Sequence, residues 1–427
     1  METILGSSDQ DRRYLVLCVL AGFLLVVVHD HLEARTSLGP AASFLVVFGV
    51  YAVVFDGPHF FATYARTLLD RDFMKHNGRW YTAAFTVIAS LPVATLWILT
   101  DDVRPAFSSQ LVLGMLLRLA YVFGFYHLVM QNWGFIVLYR KKAGEPDDGT
   151  ERWERLLLVA GSFFPFLRMA RDAPVWFGVD RLAFAPAAED LPYVVARWHS
   201  MADVLLLVGV GLLLLGVLAR ASAPLGAPAR HTGLFLVACA ALCRLILRFG
   251  AEAVLDPLIA ACGVVVLIAA VALIVAVARR RALPRPHPGK WAVLASTLVL
   301  YNALLALPID NKQIVAIGIT IPHNIQYVAF CRHFAGRYYG ASAGDHGVAA
   351  TLARKAWLLV GASLLYGLVF EGLRTGAILV TGDDPTEGWA RLRDVVGALF
   401  VGVVLHHYYL DSVIWKVRKD PVIGAAV

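Results

Sequence analysis

Charge is what this chain has least of. Asp, Glu, Lys and Arg make up 16% of its 427 residues, where a soluble globular protein carries about a quarter. With 59% hydrophobic residues and a mean hydropathy of +0.66, that shortage excludes an ordinary soluble protein and marks an integral membrane one. Cysteine is also scarce. Cys18, Cys239, Cys243, Cys262 and Cys331 all lie in apolar stretches, and none belongs to a CxxC pair. They read as small buried residues without a disulfide framework. There is no Gly-rich phosphate loop ending in Lys-Ser/Thr and no HExxH zinc motif. The stretch "GASAG", residues 340–344, matches G-x-S-x-G but has no strand before it, so it reads as a flexible connector. The net charge of +7 does not imply nucleic acid as a partner, because the Lys and Arg residues sit in short loops between apolar segments, where they set orientation.

Twelve apolar segments are present, at about 14–28, 43–63, 80–99, 111–138, 156–169, 201–219, 233–249, 257–278, 291–308, 314–334, 356–373 and 395–415. The expected fold is an all-α integral membrane protein, a single polytopic domain over residues 1–427 with about twelve transmembrane helices. Several segments fall short of the ~20 residues of a straight span, so one or two are candidates for half-buried or re-entrant elements. The first resembles a signal peptide, but "HDHLEAR" follows it where a small-residue cleavage site would stand, and it reads as retained. Basic loops such as "RTLLDRDFMKHNGR" and "KVRKDP" alternate with acidic or neutral ones such as "TDDVRP" and "TGDDPTEG". The positive-inside rule then places both termini in the cytoplasm, and a bacterial inner membrane is the expected location. The longest outer loop, about 170–200, carries Trp176, Phe177, Phe184 and Trp198 among charges, and such rings favour the membrane interface.

Thirteen histidines are the chain's unusual resource. His76, His199, His231, His287 and His346 fall in loops, His29 and His31 at the outer end of the first segment, and His333 at the cytoplasmic end of the tenth. The other five lie inside apolar segments. His59 is seven residues before Arg66, His127 thirteen before Arg140, His323 nine before Arg332, and His406 ten before Lys416. At a rise of about 1.5 Å per residue, four helices therefore bring imidazoles to one layer, roughly 10–20 Å below the cytoplasmic charges. His407 adjoins His406, but the two point about 100° apart on a helix, so only one need face the same point.

Each histidine has polar company at helical spacing. Asp56 lies a turn before His59 and Tyr64 somewhat more than a turn after it. Gln131 is at i+4 from His127, Gln326 and Tyr327 share the face of His323, and Asp411 is at i+4 from His407. Pro58 and Pro322 directly precede His59 and His323, and a proline break at membrane depth is tolerated beside a polar pocket. Ionisable groups at this depth mark function by default, although any one histidine could be a helix–helix hydrogen bond.

The chemistry that fits is a metal site with His59, His127, His323, His406 and His407 as ligands. Asp56 and Asp411 would be ligands or orienters of ligands, and Tyr327, Tyr64 and Gln326 would contact oxygen or substrate. Imidazole with carboxylate suits iron, mononuclear or dinuclear, with copper or zinc behind it. Zinc hydrolysis needs a polar scissile bond, whereas iron with O2 needs only a C–H or C=C bond of a hydrophobic lipid-phase substrate, together with an electron donor. An oxygenase, hydroxylase or desaturase is the expected activity. The rivals are a haem protein with two axial histidines and a proton-coupled transporter using the same layer as a relay.

"DGPHFF" and "IPHNIQ", with histidines spread over several membrane helices, resemble the Brp/Blh-type membrane carotenoid dioxygenases. That resemblance implies an iron enzyme cleaving an isoprenoid double bond. A more distant comparison is with membrane fatty-acid desaturases and hydroxylases, whose HxxxH and HxxHH boxes are absent here, "LHHYYLD" having only the HH.

Overall fold

The computed structural model describes residues 3–37, 39–100, 109–145, 149–172, 191–218, 223–279, 286–307, 309, 312–341, 345–381 and 387–415. Among them the chain is helical, in the order α1 (Ser8–Arg35) and α2 (Ala42–Thr67), α3 (Arg71–Thr100), α4 (Ser109–Lys142), α5 (Thr150–Asp172), α6 (Leu191–Leu218), α7 (Ala223–Phe249), α8 (Ala251–Arg279), α9 (Pro288–Ala306), α10 (Lys312–Ala341), α11 (Gly347–Arg354), α12 (Ala356–Thr381) and α13 (Glu387–Ile414). Each of the twelve apolar segments falls on one of these helices. Seven of them, α1, α2, α3, α8, α9, α10 and α13, are long and apolar enough to cross a membrane. The aromatics Trp176, Phe177 and Phe184, the serine of "GASAG", and the basic run from Lys416 lie outside the described residues.

The helix that organises the others is α10. Its apolar window is 78% buried, against 44% or less for the other six spans. It packs against α1, α2, α4, α9 and α11. Two glycine contacts set how closely its surroundings approach. A Cβ added at Gly22 of α1 would fall 2.2 Å from the Gly318 carbonyl oxygen of α10, and one at Gly57 of α2 would fall 2.3 Å from the Gly367 Cα of α12. Small residues that let backbones touch are a main source of helix association where lipid removes the hydrophobic drive.

Pro58 does not kink an α-helix. The backbone of α2 widens into a π-turn over Tyr51–Asp56 and resumes as α-helix at Gly57, with Pro58 in the first turn, where a missing N–H costs least. The Gly57 N–H bonds to the Ala52 carbonyl across that wide turn. His59 follows directly, so the π-turn and the Gly57–Gly367 contact together set its position. Pro322, by contrast, sits inside the continuous helix α10.

One end of the bundle is tied by a buried ionic cluster. The Lys290 ammonium donates to Glu145 (2.5 Å) and Glu154 (2.7 Å), and Arg140 donates to Glu154 (3.0 Å) and Thr150 (3.0 Å). Burial pushes the Glu145 carboxyl up, but the Lys290 ammonium, the His287 N–H and the Arg140 charge outweigh it and hold Glu145 below the usual glutamate range. Nearby, Asp11 accepts from the Ile4 and Leu5 N–H groups and the Tyr139 hydroxyl, which pins the N-terminal stretch to α4.

The glycine contacts give a testable contrast within α2. Gly57→Ala forces a Cβ into the α12 backbone and should cost about 1–3 kcal/mol by overpacking. Gly49 has nothing within 4 Å of an added Cβ, so Gly49→Ala should be neutral or slightly stabilising through helix propensity. Thermal unfolding in detergent should show a drop for Gly57→Ala alone; equal midpoints would contradict the close approach.

Candidate metal centre

Four helices, α2, α4, α10 and α13, converge at the level of the buried histidines. The His59 Nε2 lies 2.7 Å from the His407 Nε2 and 3.3 Å from the His323 Nε2. The Asp411 Oδ2 lies 3.4 Å from the His127 Nε2 and 3.5 Å from the His407 Nε2. His59, His127, His407 and Asp411 offer ligand atoms that all lie within 4.8 Å of one another, a His3Asp group that could hold a metal ion. His323 stands beside this group through its contact with His59.

The ring nitrogens crowd one another. A neutral imidazole offers one N–H, yet the His59 Nε2 faces two other ring nitrogens at once. The Asp411 Oδ2 and the His127 Nε2 are buried and have no hydrogen-bond partner. Unsatisfied buried polar atoms cost about 1–3 kcal/mol each, and more when charged. A cation resolves the conflict. Metal–nitrogen bonds of ~2.0–2.1 Å at right-angled to tetrahedral geometry separate donor atoms by roughly 2.9–3.4 Å, close to the shorter separations found here, the group as a whole lying within 4.8 Å.

Asp411 is held from its far side. The Tyr327 hydroxyl donates to Oδ1 at 2.6 Å, and the Thr63 hydroxyl lies 3.1 Å from the same oxygen and 2.6 Å from the Tyr327 oxygen. The Trp415 indole N–H donates to the Tyr327 oxygen at 3.1 Å. One carboxylate oxygen is thus fixed by the protein while the other is turned to the histidines. Because Oδ2 faces the same His407 nitrogen that faces His59, Asp411 stands among the ligand atoms and not behind the ring.

The other residues singled out from the sequence are placed elsewhere. His406 is set apart from the group. Its Nδ1 contacts the Tyr64 hydroxyl at 3.3 Å, and its ring packs among Tyr64, Tyr81 and Phe85. The 100° turn from its neighbour His407 accounts for this. Tyr64 therefore serves His406, and it also donates to the Val403 carbonyl at 3.4 Å. Asp56 accepts from the Tyr51 hydroxyl (2.8 Å) and the Asn324 amide (3.3 Å). Gln326 donates to the Leu15 carbonyl and the Asn132 side chain and accepts from Gln131, bracing α10 against α1 and α4. His29 is buried within α1 with Asp30 and Glu33 near its ring. Thr63 and Trp415 are the functional neighbours the sequence reading missed. Thr63 does lie four residues after His59, on the same helix face.

No protein family, curated protein or solved structure matches this chain.

Metal retained after dialysis against a chelator, measured by mass spectrometry of the detergent-purified protein, tests the assignment. His59→Ala, His407→Ala and Asp411→Ala should empty the site. Thr63→Val, which removes a support of Asp411, should weaken binding about 10–100-fold. His406→Ala should keep full metal. Undiminished metal in His59→Ala and His407→Ala would refute the centre.

Proposed function

We propose that this protein is a membrane-embedded, iron-dependent oxygenase, hydroxylase or desaturase acting on a lipid or isoprenoid chain. In this reading it lies in a bacterial cytoplasmic membrane, with about twelve spans and both termini cytoplasmic. The observation that carries the reading is the inward face of the histidine cluster. There the His59 Nε2 meets two other ring nitrogens at 2.7 and 3.3 Å, and a carboxylate oxygen among them has no hydrogen-bond partner.

The donor set supports iron over softer metals, because it is imidazole and carboxylate without thiolate. His59, His127, His407 and Asp411, with His323 alongside, would hold the ion, which would supply oxygen activation. Thr63 and Tyr327 hold Asp411 in place, and Trp415 orients Tyr327. Gln326 fixes the register of α10 and so the reach of His323. The surroundings are apolar helices, which favours a hydrocarbon substrate and lipid-dissolved O2 over hydrolysis of a polar bond. The likeness of "DGPHFF" and "IPHNIQ" to the carotenoid dioxygenases points the same way. A hydroxylase or desaturase of this kind also requires an electron donor as a partner.

The two rival readings fit the geometry less well. Axial haem ligands would stand about 4 Å apart across a macrocycle, whereas here ring nitrogens of four helices crowd one point. A proton relay would use the same short contacts, but it gives no role to the convergence of His59, His127, His407 and Asp411 on one point.

The test is to express the protein in iron-replete cells under 18O2 and to compare extracted lipids by mass spectrometry with cells making His407→Ala. A wild-type-specific product carrying 18O, or lacking two hydrogens, is expected. Identical lipid extracts, with no oxygen consumption by the iron-loaded protein, would overturn the reading.

A further inference from the structure

Oxidisable rings lead away from the metal centre in one direction. The Tyr327 hydroxyl donates to Oδ1 of Asp411 at 2.6 Å, and the Trp415 indole N–H donates to the Tyr327 oxygen at 3.1 Å. Tyr327 is buried, whereas Trp415, just past the end of α13, is half-buried. Trp415 packs edge-on against Phe330 and Phe334 of α10, with ring centroids 4.9 and 5.2 Å away. Phe334 in turn stacks on the half-buried Tyr338 at 5.1 Å. Two hydrogen bonds therefore join a carboxylate of the metal group to an indole that is only partly covered.

Support of Asp411 does not by itself account for this pairing. Thr63 already donates to the same Oδ1, and a phenol needs no donor to its own oxygen in order to give its proton. The indole, which is a donor only, adds a second oxidisable ring whose N–H points at the phenol oxygen. The charge beside it decides how it can be oxidised. The Arg66 guanidinium lies 4.3 Å from the ring centroid of Phe334, 5.3 Å from that of Tyr338 and 5.4 Å from that of Trp415. A fixed positive charge so close opposes a second one on the indole. Trp415 is therefore oxidised by losing its N–H proton together with the electron, and the acceptor for both, the Tyr327 oxygen, is in place.

We propose that Tyr327 and Trp415 form a one-electron relay between the metal centre and the outside of the bundle. Tyr327 gives an electron to the oxidised centre and its phenolic proton to Oδ1 of Asp411. Trp415 then passes a hydrogen atom to the Tyr327 oxygen: its N–H bond breaks, the phenol O–H bond re-forms, and a neutral indole radical is left. A soluble one-electron reductant returns an electron to the indole, and water returns the proton. The net transfer is one electron to the centre and one proton to Asp411, both drawn from outside. Oxygen activation by a hydroxylase or desaturase consumes both. This use in turnover rests on the oxygenase reading; the redox contact between the two rings does not.

Two radical-trapping measurements on the detergent-purified full-length protein test the relay. In the first, ferrous-loaded protein is mixed with hydrogen peroxide without substrate, freeze-quenched and examined by electron paramagnetic resonance. Deuterated tryptophan or tyrosine marks the source of each signal, and yields are counted per bound iron. The wild type should show a tryptophan radical. Trp415→Phe, which keeps a ring against Phe334 and Arg66, should lose it and hold a tyrosyl radical instead, and Tyr327→Phe should lose both. In the second, metal-free protein is illuminated with water-soluble ruthenium tris(bipyridine) and persulfate. A tyrosyl signal should form that Tyr327→Phe and Trp415→Phe each diminish. Equal radical yields in the three proteins, or no tyrosyl radical in iron-loaded Trp415→Phe, would overturn the proposal. If the metal reading alone is wrong, none of the proteins will bind iron or respond to peroxide, yet the light-driven signal will still require both rings. If the relay alone is wrong, iron will be bound and neither measurement will distinguish the variants.

Discussion

Everything in this structure turns on how closely ionisable side chains crowd one buried point. Three imidazoles and a carboxylate, from three helices far apart in sequence, turn ring nitrogens and an oxygen toward each other. The closest pair, on His59 and His407, is 2.7 Å apart. In an apolar interior, polar atoms without partners lose their hydration, a cost of several kcal/mol. Hydrogen bonds meet it only in part: His59 contacts His407 and His323 at hydrogen-bond distance, while one carboxylate oxygen of Asp411 and a ring nitrogen of His127 have no partner. A cation at the centre turns the same arrangement from a liability into a binding site.

The rest of the fold can be read as the scaffold that makes this crowding possible. α10 is the most enclosed span, and it presents His323 and Tyr327 one turn apart. The π-turn before Gly57 accommodates Pro58 without breaking α2, and the glycine contact with α12 brings that turn in close. Wide turns of this kind are frequent at functional sites. Thr63, Tyr327 and Trp415 then hold Asp411 by the oxygen that faces away from the histidines. Precision therefore comes from backbone contacts for His59 and from a hydrogen-bonded chain for Asp411.

Much of this was readable from the order of residues. Counting from each histidine to the next basic residue placed His59, His127, His323 and the C-terminal pair in one layer, because helical rise is regular. Depth fixes only one coordinate, however. Which way a side chain points around its helix depends on packing, and four of the residues chosen by proximity in sequence point elsewhere. His406 faces an aromatic cage, Tyr64 bonds to it, Asp56 turns to Tyr51 and Asn324, and Gln326 braces neighbouring backbones. Thr63 went unnoticed because a threonine in a membrane helix usually bonds its own backbone; only the approach of α13 gives it Asp411. α11 falls in none of the twelve apolar segments because its eight residues are mostly small and carry too little hydrophobic signal.

The central claim is that these histidines and one aspartate surround a metal. X-ray absorption at the metal edge of the purified protein addresses it most directly, since the spectrum reports the ion and its immediate donors without reference to activity. The account predicts a first shell of nitrogen and oxygen only, at about 2.0–2.2 Å, with the outer-shell scattering of several imidazole rings and no sulfur. A protein that takes up no transition metal, or a metal whose shell contains sulfur or lacks imidazole, would contradict it.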